Sequence, residues 1–182
     1  MLRRTSLAKI ITTLIFCLIS ASGFAQPSSA SSYILPKYMY SDISEIDVDL
    51  LVETNSPNNA QPSQLIEVLK QRGIVSAASP FYYLTDSKGS LIVYVYVFED
   101  NKKLRKRFAE KVAQAKEEGS EVVDVADIGE RAYMVESDYS NGYIDFYYGN
   151  VEVTITSHSV IDLIDFASVY AQWLQRVYSA VH

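Results

Sequence analysis

Along the chain from residue 41, hydrophobic positions change their spacing several times, and each change marks an element. Ile46, Val48, Leu50 and Val52 alternate with Asp47, Asp49, Leu51 and Glu53, a period of two that favours a strand with an acidic outer face. Ile43, Ile46 and Leu50 also keep helical spacing behind Asp42 and Glu45, so segment 42–52 is open between strand and helix. Thr54 to Pro62 is a loop, after which Leu65, Ile66 and Leu69 build a short helix stopped by Gly73. Phe81 to Thr85 and Leu91 to Phe98 read as strands of a hairpin joined by Asp86-Ser87-Lys88-Gly89. Leu104, Phe108, Val112 and Ala115 recur at intervals of three and four, predicting a helix over 102–118 ended by Gly119. Arg131 to Glu136, Tyr143 to Tyr148 and Val151 to Ser157 then form a three-stranded meander. Its turns are Asn141-Gly142 and Gly149-Asn150, residue types that tolerate positive φ. A last long helix starts behind a capping pair, Ser159 and Asp162. Its apolar stripe is Val160, Leu163, Ile164, Ala167, Tyr170, Ala171, Leu174, Val177 and Tyr178.

Tight hairpins make a sheet antiparallel, and amphipathic helices must bury their stripes on it. The fold class expected is α+β, with an antiparallel sheet of about five to six strands and three helices mainly packed on one face. One domain, 41–182, accounts for these elements. Ahead of it, 26–40 is expected to be a flexible lead-in, rich in Ser, Pro and Ala up to Ser32. Residues 1–25 have the three parts of a secretory signal: Arg3, Arg4 and Lys9, an apolar run from Ile10 to Ile19, and small residues around Gly23 and Ala25. Cleavage near Ala25 and a periplasmic or secreted location follow. That run is about half of the roughly 20 residues that span a bilayer, so no transmembrane anchor is expected.

Loss of the three basic residues with the leader takes the net charge from -6 to -9. Cys17, the only cysteine, would leave as well, which excludes disulfides, thiolate nucleophiles and cysteine metal sites from the remainder. His158 and the terminal His182 are the only histidines, too few for ordinary zinc ligation and offering no local nucleophile for a Ser-His-Asp arrangement. Asp138, Ser140 and Asn141 lack the later glutamate of a calcium loop. The paired carboxylates Asp124 with Asp127, and Asp162 with Asp165, are explained by a loop and by a helix start. Glycines fall one to a turn and build no phosphate cradle. No catalytic residue, metal or cofactor is assigned.

Two surfaces remain. Lys102, Lys103, Arg105, Lys106 and Arg107 put five basic residues within six positions at the start of a helix, against the helix dipole, with Glu99 and Asp100 placed to offset them. They form either a contact for an anionic partner or a solvated face pairing with the chain's own acid. An exported acidic protein is not expected to bind nucleic acid. The second surface comes from strand faces. Alternation sets Leu91, Val93, Val95 and Val97 against Ile92, Tyr94, Tyr96 and Phe98, and Val151, Val153 and Ile155 against Glu152, Thr154 and Thr156. With strands in hairpin order, Tyr94, Tyr96, Tyr143, Asp145, Tyr147, Glu152, Thr154 and Thr156 share one face, a mixture of flat apolar area and hydrogen-bonding groups suited to recognition. The competing reading is that these tyrosines only stabilise the sheet or lie covered.

Gly129-Glu130-Arg131-Ala132-Tyr133, then Tyr148-Gly149-Asn150-Val151-Glu152-Val153, then a helix with Ala167 and Leu174, resemble a pattern in small exported bacterial domains. Among these are the extracellular sensor domains of mycobacterial serine/threonine kinases. The resemblance covers about a third of the chain and carries over no site residues, and those domains have disulfides that this chain lacks. It implies a non-catalytic sensing or binding module with helices against a curved antiparallel sheet. A non-enzymatic binding, sensing or interaction module with a protein or small-molecule partner is therefore the first expectation. The alternatives are a periplasmic hydrolase with a dispersed site and an inhibitory or structural partner protein.

Overall fold

The computed structural model describes residues 29–85, 89–136, 142–157 and 163–182. The leader, the turn residues 86–88, Asn141, His158 and the capping pair Ser159 and Asp162 lie outside the described residues. Seven strands form one antiparallel sheet: β1 (Ile43–Glu53), β2 (Ile74–Leu84), β3 (Ser90–Phe98), β4 (Glu121–Val125), β5 (Arg131–Glu136), β6 (Tyr143–Tyr148) and β7 (Val151–Ser157). Their order is β1-β2-β3-β7-β6-β5-β4. Three α-helices, α1 (Ser63–Gln71), α2 (Asn101–Glu117) and α3 (Leu163–Val181), and two 3-10 turns, Ala30–Tyr33 and Lys37–Met39, complete the described elements.

The class is α+β as expected, with corrections in strand number, strand bounds and helix placement. The strand count exceeds five to six because β4, a short edge strand of half-exposed valines between acids, carries too little hydrophobic contrast to read as one. β2 starts at Ile74, seven residues before the expected Phe81, since Val75-Ser76-Ala77-Ala78-Ser79-Pro80 is small and polar. Pro80 is tolerated there because the β2–β3 ladder passes from Ala78↔Val95 to Phe81↔Ile92 without using it, and β1 shifts register opposite it between Val48 and Leu50. Segment 42–52, open between strand and helix, is strand from Ile43 onward.

Helices cover both faces, not mainly one. On the first face Leu91, Val93, Val95, Val97, Val151, Val153, Ile155, Ile144 and Phe146 pack against Phe166, Ala167, Tyr170, Ala171 and Leu174 of α3. The segment expected to be a flexible lead-in joins this layer from Ser29 onward: Ala30, Tyr33 and Leu35 are buried in the same core. Ala30 N–H donates to Ser76 Oγ at 2.8 Å, Tyr82 Oη–H to the Leu35 carbonyl at 3.2 Å and Tyr170 Oη–H to the Tyr33 carbonyl at 2.9 Å. Three apolar residues spaced along a Ser-rich stretch give no periodicity, so their burial is invisible locally.

On the second face Val52, Ala77, Phe98, Tyr133, Val135 and Tyr147 form a separate core with Leu69 of α1 and Leu104, Phe108, Val112 and Ala115 of α2. Both helices end where glycine permits it, at Gly73 (φ 75°) and Gly119 (φ 83°). Asp100 caps α2, its carboxylate accepting from Lys103 N–H at 2.8 Å.

Candidate functional site

The site lies on the second face, where α2 crosses β7 and β6. Phe108 anchors the helix edge-on between Tyr133 (centroids 5.0 Å, 76°) and Tyr147 (4.9 Å, 81°). One turn on, Lys111 reaches down to the sheet and bonds the Asp145 carboxylate. Its Nζ also donates to Glu152 Oε1 at 3.1 Å and Thr154 Oγ1 at 3.4 Å. Asp145 accepts two further bonds, from Tyr133 Oη–H at 3.0 Å and Thr154 Oγ1–H at 3.0 Å. Antiparallel register supplies this convergence: Tyr94↔Thr154↔Asp145 and Tyr96↔Glu152↔Tyr147 are successive rows across β3, β7 and β6.

Asp145 and Glu152 are 0% and 1% exposed, so both carboxylates sit in low dielectric with one ammonium between them. Asp145 is fully bonded, whereas Glu152 Oε2 is buried without a partner. Burial, and then the neighbouring Asp145 charge, push the Glu152 carboxyl up to about 7 against the opposing pull of Lys111 and Arg107. Burial lowers Lys111, but the Asp145 and Glu152 charges and their hydrogen bonds outweigh it and hold the ammonium above its ordinary range. The cluster is thus one cation shared by two acids, one of which is poised to take up a proton near neutrality.

Beside the cluster the sheet face is half exposed. Tyr94 and Tyr96 stack with planes 3° apart and centroids 6.4 Å apart, and burial raises the Tyr96 hydroxyl. Ile92, Tyr143, Thr154 and Thr156 are likewise half-buried. The structure therefore brings all eight residues of the expected aromatic face together, with unequal exposure. Tyr147, at 8% exposure, and the two acids belong to the core beneath α2, while Tyr94, Tyr96, Tyr143, Thr154 and Thr156 are half-buried, Tyr96 and Tyr143 packing against that core.

The basic run is divided by helical periodicity. Lys103 pairs with Glu99, Arg105 Nη2 meets Glu130 at 2.9 Å, and Lys106 lies 3.7 Å from Glu110. Lys102 is exposed, and Arg107 is half-buried with its Nε lacking a partner. Lys103, Lys106 and Arg107 line a cleft of about 340 Å³ together with Gln71, Arg72, Gly73 and Glu110.

Lys111 is not among the residues that the sequence singles out. Its signal was available: it stands three residues after Phe108 and one before Val112, inside the apolar stripe, where a lysine must find a buried acid. Among the described residues no group of histidine, cysteine and carboxylates has the geometry of a metal site. No helix of the described residues is long and apolar enough to cross a membrane.

No protein-family model and no curated protein matches the chain. Among solved structures, the extracellular domain of PknH from Mycobacterium tuberculosis is similar, with a TM-score of 0.47, 12% identity, and coverage of 85% of this chain and 99% of that one. The similarity is weak and assigns the chain to no specific family.

Proposed function

We propose that this protein is an exported, non-enzymatic binding module whose ligand or partner contacts the open part of the aromatic sheet face. The observation that carries the reading is the parallel Tyr94–Tyr96 pair, half exposed at the edge of α2. Two flat rings held by sheet register offer apolar area that loses little conformational freedom on contact. Thr154 and Thr156 flank it on β7, their hydroxyls bonded to Asp145 and to the Ile92 carbonyl at 3.3 Å, and Tyr143 lies beyond them on β6. Lys111 of α2 fixes the adjoining residues Glu152 and Thr154 on the same face. Export rests on the leader pattern of residues 1–25.

A second reading, a hydrolase using Asp145 and Glu152 as an acid and base pair, is favoured by the Glu152 carboxyl standing near 7. Against it, Glu152 is 1% exposed and does not line the cleft beside α2, so a substrate has no shown route to it. The experiment that separates them is a two-dimensional NMR titration of the protein with a defined set of soluble sugars, amines and nucleosides, run beside turnover assays on generic ester, peptide and glycoside substrates. The binding reading expects saturable shifts centred on Tyr94, Tyr96, Tyr143 and Thr154 that vanish in Tyr94→Ser. Turnover abolished by Glu152→Gln would replace it with the hydrolase reading.

A further inference from the structure

The cleft between α1 and α2 has a charge that the rest of this acidic chain lacks. Gln71, Arg72 and Gly73 form one wall, and Lys103, Lys106, Arg107 and Glu110 the other. Four cations therefore face one cavity in a chain whose net charge is -6. Only part of that charge is used internally. Lys103 pairs with Glu99 and Lys106 with Glu110, both exposed pairs that hold weakly. Arg72 and Arg107 have no ion pair within contact distance among the described residues, and the buried Arg107 Nε has no hydrogen-bond partner.

Glu99 and Glu110 offset Lys103 and Lys106, leaving Arg72 and Arg107, of which Arg107 also acts across the sheet face on the buried Glu152. A phosphate monoester carries about -1.5 to -2 near pH 7, which matches that remainder. Guanidinium groups offer paired N–H donors to phosphate oxygens, and ammonium groups add point charges. Gly73 lets Lys103 lie close: a Cβ there would stand 2.6 Å from Lys103 Cδ and force that stem to shift. The volume, about 340 Å³, lies at the small end of the roughly 300–1,000 Å³ range of small-molecule sites. We infer that this cleft binds a small phosphate monoester, its phosphoryl group held by Arg72 and Arg107 with Lys103 and Lys106 completing the field. The inference concerns a different site from the aromatic face and stands or falls separately from it.

The test is calorimetric and NMR titration of the full chain with glycerol 3-phosphate and, separately, inorganic phosphate, with flotation on phosphatidic acid or phosphatidylcholine vesicles as a further arm. Saturable binding of the soluble ester is expected, with amide shifts centred on Arg72, Gly73 and Arg107. Arg72→Gln and Arg107→Gln should each weaken it by about tenfold or more, the weight of one charge-assisted hydrogen bond. Arg72 is exposed, so its variant keeps the test valid even where Arg107→Gln lowers the melting temperature. Lys102→Gln, in the same basic run but outside the cleft, should change affinity less than about twofold by screening alone. Absence of saturable binding overturns the inference. So does an equal loss in Lys102→Gln, which would mean diffuse attraction, and so does binding to phosphatidic acid vesicles without binding of the soluble ester, which would mean a membrane-facing patch.

Discussion

Lys111 Nζ lies 3.1 Å from Glu152 Oε1, joining the middle of α2 to the centre of the sheet. Removing one partner of a buried ion pair leaves the others uncompensated, at a cost of about 3–5 kcal/mol. Lys111→Met should therefore lower the unfolding free energy by about 3 kcal/mol at pH 7.5, read from urea denaturation. The triple variant with Asp145→Asn and Glu152→Gln should recover much of that loss, because no buried charge is then left unpaired. A single variant as stable as the wild type would mean that the two acids do not need the ammonium.

The same cluster sets a pH dependence. Glu152 is raised from 4.5 to about 7 in the folded chain, first by burial and then by Asp145. Between those values the folded protein keeps a proton that the unfolded chain has released. Stability from this group is thus full below about 4.5, falls as pH rises, and is gone above about 7. The step is on the order of 3 kcal/mol. Urea midpoints of the wild type should fall between pH 5 and pH 7.5, and Glu152→Gln should flatten that fall. An equally steep fall in the variant would assign the dependence to another group.

Phe108 is the apolar counterpart of Lys111. It is buried, touches Tyr133 and Tyr147 edge-on, and has the Arg131 guanidinium 5.8 Å from its ring centre. Phe108→Ala should cost about 3–5 kcal/mol, and Phe108→Leu roughly 1.5 kcal/mol or less, since volume is then largely kept. Hydrogen exchange along α2 should accelerate in the alanine variant. Protection unchanged in α2 would show that Lys111 alone pins the helix.

These effects mark what could and could not be read from the chain. Strong periods were sufficient for β3, β5, β6, β7, α2 and α3, because each element buries a regular stripe. β4, the first half of β2 and the 29–40 segment escaped, since their stability comes from neighbours: Ser76 is a strand residue because Ala30 and Glu53 bond to its hydroxyl. Alternation placed Tyr94, Asp145 and Glu152 on one face correctly. It could not say which end α2 would cover, so Tyr147 and Tyr94 looked equivalent. The turn at Asn141-Gly142 was expected to need positive φ, yet Gly142 does not adopt it, and Asn141 lies outside the described residues. In the Gly149-Asn150 turn only Gly149 does, at 60°.

Two left-handed glycines should differ in their tolerance of alanine. At Gly149 an added Cβ would stand 2.1 Å from Cζ of Tyr178, a side chain near the C-terminus that would have to shift against Tyr148 and His182, whereas no backbone would. At Gly129 (φ 63°) it would stand 2.5 Å from the Tyr147 carbonyl oxygen, and this backbone is held by the sheet and by Glu130 N–H at 2.8 Å. Backbone strain alone costs about 1–2 kcal/mol at either position. Gly149→Ala should lose about that amount and Gly129→Ala clearly more, measured by thermal unfolding. The reverse order would mean that the β5–β6 end of the sheet yields more readily than α3.

Tyr147, Tyr96 and Tyr94 should fall in that order when each is changed to serine. Tyr147 is core, wedged against Phe108, and its loss should cost about 3 kcal/mol or more. Tyr96 packs partly on the second core, with its hydroxyl raised by burial, and takes an intermediate place. Tyr94 is half-buried beside Thr154, and its removal should cost roughly 0.2–1 kcal/mol, the scale of a cross-strand contact. Binding at the proposed face should show the opposite sensitivity: Tyr94→Ser, nearly as stable as the wild type, should lose the NMR shifts produced by a ligand, because its ring, unlike those of Tyr96 and Tyr147, belongs to neither core. Should Tyr94→Ser unfold as readily as Tyr147→Ser, the rings serve one continuous core, and the sheet offers no free aromatic surface for a partner to meet.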